Sequence, residues 1–248
     1  LAYMQNFHYL CTQIITIMQD ERYLQLLSRK FPNAQSVVTE LINLRAILSL
    51  PKGTEHFVSD LHGEANAFIH MIKNASGVIR KKVDEAYGDS LCEEEKRALC
   101  ALIYYPDERI DLVKRKHKGQ PNNALQEGFD YSNMYEWYKR RLHQVVAIAR
   151  AITIKYTRSK VYKHLPKDYA YVIKELLHES SLEQKDRQAY YNAVIEAIIE
   201  TGCAEQLLIS ITYFIHSMAI DMLHIVGDIF DRGPRPHKIL DVLSTIRD

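Results

Sequence analysis

Two short apolar runs limit what this chain can fold into. TEHFVSD ends at Asp60 and MLHIVGD ends at Asp228, so their terminal aspartates lie 228 − 60 = 168 positions apart. Both are rich in β-branched and aromatic residues, and each stops on charge followed by glycine: Asp60-Leu61-His62-Gly63 in one case, Asp228 with Asp231-Arg232-Gly233 in the other. Each is followed by helical text, EANAFIHMIKNASG after Gly63 and HKILDVLSTI after Pro234. Strand, tight turn and helix in that order are the unit of an α/β sheet, whose ligands collect beyond the carboxyl ends of its strands. MLHIV reads as a parallel strand covered on both faces. Two strands do not finish a sheet, which implies further chain or pairing with another copy.

Nearly everything else reads as helix. NAQSVVTELINLRAILSLP places Val37, Val38, Leu41, Ile42 and Leu48 at helical intervals, with Asn33 as cap and Pro51 as stop, and predicts an amphipathic helix packed on another element. Ser90 and Glu93 have capping-box spacing ahead of EEKRALCALIYY, and Gly202 follows AVIEAIIET where a left-handed residue is wanted. Residues 135–162 contain neither Gly nor Pro, which predicts one long helix or two with a small bend. Residues 117–133, with their glycines, proline and asparagines, read as a loop. The apolar stretch Leu207–Val226 carries His216, Asp221 and His224, so a helix breaking near Ala219–Met222 into a strand suits it better than a membrane span.

With 248 residues and 47% hydrophobic content the chain can bury a substantial core. Lys plus Arg number 32 against 31 for Asp plus Glu, so no overall field draws it to nucleic acid or an anionic membrane. Cys11, Cys92, Cys100 and Cys203 form no C-x-x-C pair and no secretory leader is apparent, which points to a reducing cytoplasm. His70, His216 and His224 read as packed or satisfied histidines, KRKHK at 114–118 as a solvated face, and Tyr104, Tyr105, Trp137 and Tyr138 as helix packing.

The strand ends carry the chemistry. Asp60 and His62, two positions apart, can both turn toward one ion, and such mixed oxygen and nitrogen ligation suits Mn²⁺, Fe²⁺ or Zn²⁺ better than Ca²⁺. Asp228 can lie between two ions, one carboxylate oxygen to each, in a pair that activates water and neutralises the oxygens of a phosphate ester. Arg232 offers a permanently charged fork for phosphate, and Asp231 can orient a ligand or a catalytic histidine.

SDLHGE and GDIFDRG match the D-x-H-G and G-D-x-x-D-R-G motifs of the calcineurin-like metallophosphoesterases. More narrowly, with ERYLQLLSRKFP, LPKGTEHFVSDLHGE, LIYYPDERI, YTRSKV and HIVGDIFDRGPRPHKILD, the chain resembles the class III fructose-1,6-bisphosphatases of bacteria from about Glu21 onward. The resemblance implies an incomplete α/β metallophosphoesterase core with a large, mostly helical insertion. Residues 1–53 would be amino-terminal helices, 54–77 the first strand–helix unit, 78–218 the insertion and 219–248 the second unit. It implies Mn²⁺-dependent hydrolysis of fructose 1,6-bisphosphate to fructose 6-phosphate in gluconeogenesis. Asp60 and His62 would bind the first metal, Asp228 would bridge both, Asp231 would support the general-acid histidine, and Arg232 would contact phosphate. The insertion is expected to cover the site, select the sugar or join copies of the chain. A later G-N-H-[ED] motif, needed for the second metal and the acid, does not occur. The chain is therefore expected to be an amino-terminal portion with about half of the dinuclear site. The alternatives are a non-catalytic helical module that binds metal weakly and a calcineurin-type protein phosphatase.

Overall fold

The computed structural model describes residues 21–117, 134–178 and 185–247. All but the first residue of the expected 117–133 loop lie outside them. The chain divides into two compact units, Leu1–Leu50 and Pro51–Asp248.

The described part of the first unit is a pair of helices, α1 (Glu21–Lys30) and α2 (Ala34–Leu48). Asn33 caps α2 as expected, its side chain accepting from the Ser36 amide at 2.8 Å. The helix ends at Leu48 with Ser49 as its C-cap, two residues ahead of Pro51. Its apolar residues are not packed away. Val37, Val38, Leu41 and Ile42 are all exposed, so the expected burial of this face is not seen among the described residues.

In the second unit, β1 (Glu55–Ser59) leads through α3 (Ala65–Asn74) into a helical mass and back to β2 (Met222–Val226) and α12 (Pro236–Arg247). The mass comprises α4 (Val78–Tyr87), α5 (Glu93–Tyr104), α6 (Pro106–His117), α7 (Met134–Thr153), α8 (Arg158–Lys163), α9 (Ala170–His178), α10 (Lys185–Glu200) and α11 (Ala204–Ala219). Helix α7 is its axis, packing most extensively on α11 and also on α4 and α10. Leu142, Val145, Ile148 and Ala149 of α7 are fully buried, as are Leu207, Leu208, Ile211 and Ile215 of α11. Their three- and four-residue spacing makes each helix a stripe that must be covered.

Of three local expectations, one is corrected, one is resolved between its two alternatives and one is met. Glu95, not Glu93, returns to the start of α5, its carboxylate accepting from the Cys92 amide at 3.2 Å; Cys92 is the N-cap, and the Ser90 hydroxyl donates to the Tyr87 carbonyl instead. The uninterrupted stretch 135–162 splits into α7 and α8, because Thr157 accepts from the Lys160 amide and begins a second helix. Gly202 does adopt the left-handed conformation (φ 75°) that closes α10, with the Cys203 amide donating to the Ile198 carbonyl.

Among the described residues the sheet has two strands, paired in parallel with Glu55 opposite Met222 and Ser59 opposite Val226. Side chains alternate strictly. Val58, Leu223 and Ile225 join Leu61, Phe68 and Ile239 in a small apolar cluster beneath one face, where α3 and α12 pack together. Phe57, Met222 and Val226 point the other way and are 70%, 53% and 61% exposed. MLHIV is thus apolar on both faces but covered on one, a correction to the expectation of two covered faces. Helix α11 gives way to β2 across Ile220 and Asp221, at the expected place.

Candidate metal centre

The ladder continues past both strands into the turns. The Asp60 amide donates to the Val226 carbonyl at 3.2 Å, His62 to Asp228 at 3.1 Å and Gly63 to Ile229 at 3.0 Å. These bonds hold two loops, 169 residues apart at His62 and Asp231, side by side at the carboxyl end of the sheet. The backbone is bent hard there. Asp60, His62 and Arg232 all have positive φ (50°, 43° and 64°), a region that non-glycine residues occupy at a cost of about 1–3 kcal/mol each.

Glycines permit the approach. A Cβ on Gly233 would lie 1.6 Å from the His62 carbonyl oxygen, and one on Gly227 would lie 2.5 Å from Asp60 Oδ1. Gly63 meets Gly233 backbone to backbone and has φ 68°. Only residues without side chains let the two loops touch.

Asp60, His62 and Asp228 each present one ligand atom, all within 4.8 Å of one another. Two carboxylates and an imidazole in that space suit a divalent transition ion. His62 Nδ1 is 2.9 Å from Asp231 Oδ1, which leaves Nε2 as the nitrogen for a metal. Arg232 Nε lies 3.4 Å from the other Asp231 oxygen, and its side chain is 81% exposed. The His62 hydrogen bond, with Arg232 alongside, holds the Asp231 carboxyl below the usual carboxylate range. All five residues expected from the motifs therefore gather at one end of the sheet. An open crevice of about 300 Å³ lies beside Asp60 and His62, walled by Val58, Phe68 and Met71 and edged by Glu64, a carboxylate to which the motifs assign no role. Its only sequence signal is its place just after Gly63.

A family profile for Firmicute fructose-1,6-bisphosphatases matches residues 22–248. The chain belongs to that family. A class 3 fructose-1,6-bisphosphatase of Phocaeicola vulgatus is 50% identical over 228 residues, which is 92% of this chain and 32% of the relative. Those of Parabacteroides distasonis and Clostridium botulinum are 47% identical over the same shares. The chain spans about a third of the length of these curated relatives. No solved structure matches it.

The match to the fructose-1,6-bisphosphatase family takes in the helices between the two motifs. It thus covers all of the residues gathered at the centre. The other histidines singled out in the sequence lie elsewhere and are either packed or engaged by neighbouring groups. His70 Nδ1 is 2.7 Å from the Tyr105 hydroxyl, and His224 stacks on Phe57 and lies 3.3 Å from Glu55. His216 is packed in the helical mass, and Trp137 is buried there too. Lys114 of the basic run pairs with Glu205.

Proposed function

We propose that this chain carries the first part of a metal-dependent phosphomonoesterase site that hydrolyses fructose 1,6-bisphosphate to fructose 6-phosphate and phosphate, a step of gluconeogenesis, in the cytoplasm. The observation that carries this reading is the convergence of Asp60, His62 and Asp228 within 4.8 Å. That the relatives are class 3 fructose-1,6-bisphosphatases supports the substrate. The two motif-bearing strand–helix units support a metallophosphoesterase core, bounded at residues 54–77 and 219–248, with residues 78–218 inserted.

Asp60 and His62 would hold one Mn²⁺, and Asp228 would reach it and a second. Bound there, the metal supplies Lewis-acid charge to phosphate oxygens and to the attacking water. Asp231 fixes the His62 ring and its tautomer by accepting from Nδ1–H. Arg232, mostly exposed beside it, is placed to fork onto a phosphate entering from solvent, where two parallel N–H bonds select a tetrahedral anion over a neutral sugar hydroxyl.

Phosphate release from fructose 1,6-bisphosphate with Mn²⁺ tests the reading against an Asp228→Asn variant. Turnover should fall at least about 100-fold. Equal turnover in wild type and variant overturns it. A second reading, a metal-binding module without turnover of its own, is favoured by there being one ligand cluster among the described residues. Stoichiometric Mn²⁺ binding without phosphate release would decide for that second reading.

A further inference from the structure

Asp221 stands at the opposite end of the sheet from the metal centre, between α11 and β2, and its side chain is 15% exposed. Around it converge groups from two distant parts of the chain, residue 54 and residues 155–160. The Thr54 amide donates to Oδ2 at 2.7 Å, the Tyr156 hydroxyl at 2.6 Å and Lys155 Nζ at 3.0 Å, while Lys160 Nζ donates to Oδ1 at 2.6 Å. In return the Asp221 amide donates to the Thr54 carbonyl at 3.0 Å, and Lys155 also reaches the Thr54 hydroxyl. Gly53 lets the strand entry come this close, since a Cβ there would sit 3.0 Å from the carboxylate. Burial opposes the charge, but the bonds from Lys160, Tyr156, Thr54 and Lys155 prevail and keep Asp221 ionised well below the usual carboxylate range.

Thr54 and Asp221 immediately precede β1 and β2, so they stand one step ahead of the first rung of the parallel ladder, Glu55 opposite Met222. A slip of one residue at that rung would turn every side chain to the other face and move Asp228 by about 3.3 Å relative to Asp60. Such a shift is larger than any ligand set tolerates. Burial of one face already disfavours a slip, but a pair of five-residue strands is marginal on its own, so an anchor at the strand entries adds to the register that the small apolar cluster specifies. Lys155 and Tyr156 belong to the link between α7 and α8, and Lys160 to α8, so the grip on both strand entries comes from the helical mass.

We propose that Asp221, gripped by Lys155, Tyr156 and Lys160, is a positioning residue that sets the register of the two strands and so brings Asp60 and Asp228 together. This assigns the inserted helices a task in building the centre, and it rests on the metal-site reading only for its consequence.

The test is made on the full chain with an Asp221→Asn variant, read by Mn²⁺ affinity from electron paramagnetic resonance and by hydrogen exchange of the segment 55–63. Helical circular dichroism should be unchanged. Mn²⁺ affinity should fall ten-fold or more, and the amides of Asp60, His62 and Gly63 should exchange at least ten times faster. A folded variant with wild-type affinity and protection overturns the proposal. Should Asp221→Asn fail to fold, Lys160→Met decides by the same two readouts. It removes only the more exposed arm of the network and should weaken both by two- to five-fold, with Lys160→Arg restoring them; no change in Lys160→Met overturns the proposal. Absence of Mn²⁺ binding in the wild type would defeat the metal reading alone, since exchange still reports on register.

Discussion

Gly233 shows how much of the site depends on atoms that are absent. The DRG motif points to a turn with a phosphate-facing arginine, but its glycine is required for a different reason, the passage of one loop's carbonyl through the space of a missing Cβ. Pairwise contact across 170 residues leaves no trace in a linear pattern, and neither does the left-handed backbone at Asp60, His62 and Arg232. That Asp60, His62, Asp228, Asp231 and Arg232 would gather at one end of the sheet was legible because their types and spacing suit one candidate site; the bends that aim them were not. His216 was legible as a packed histidine, but its cost was not. Burial, helped by the Lys73 charge, lowers its pKa to about 4 against a bond to the Ile103 backbone that favours the charged form, and Nε2 has no partner. The neutral ring is therefore the folded form. Its contribution is complete above the unfolded value of 6.5 and is lost as pH falls toward 4. Across that window wild type should lose on the order of 3 kcal/mol relative to His216→Leu. Denaturant melts of both proteins at several pH values check this, and parallel stability curves would show that the ring is not buried as described.

At the scale of elements, both strands, the Asn33 cap, the Gly202 stop and the helix-to-strand change near Ala219 were readable because each depends on nearby residues. The misreadings share a cause. Ser90 has the right spacing to Glu93, yet a turn at Gly88–Ser90 shifts the helix start, and Cys92 with Glu95 takes the role. The apolar text of β2 does not say which faces find cover; that depends on α3 and α12, which reach only one side. Their joint lies at Phe68 and Ile239, both essentially fully buried. Phe68→Ala should cost roughly 3–5 kcal/mol in the stability of this small cluster, because little else can collapse into the space. Since α3 begins immediately after the His62–Gly63 turn, the same variant should weaken Mn²⁺ binding while leaving the helical circular dichroism nearly intact. Titration with Mn²⁺ beside a thermal melt separates the two effects, and an unchanged affinity would mean that α3 does not support the turn.

Among the described residues of 51–248, the apolar interior forms two clusters. The larger runs from Ala75 to Ala219 and is mostly helical; the smaller contains the strands, α3 and α12, and includes Leu61 of the turn that carries Asp60 and His62. Motif spacing agrees with this division, since Asp60 and Asp228 stand 168 positions apart with mainly helical sequence between them, but it could not show that the intervening helices hold both strand entries. The division has a consequence for metal removal. Bound ion stabilises whatever cooperative unit includes Asp60, His62 and Asp228, by an amount that grows with the logarithm of its concentration over the dissociation constant. Among the described residues the helical core adds nothing to the Asp60, His62 and Asp228 group, so stripping metal with a chelator should leave the exchange of α7 and α11 amides unchanged. Protection at β1, β2 and their turns should drop, by about 100-fold if Mn²⁺ had been present at 100 times its dissociation constant. Equal loss of protection in α7 and α11 would mean that the two clusters open as one unit. The grip of Lys155, Tyr156 and Lys160 on Asp221 would then be strong enough to carry the metal's stabilisation across the sheet into the helices, instead of only aligning the strands.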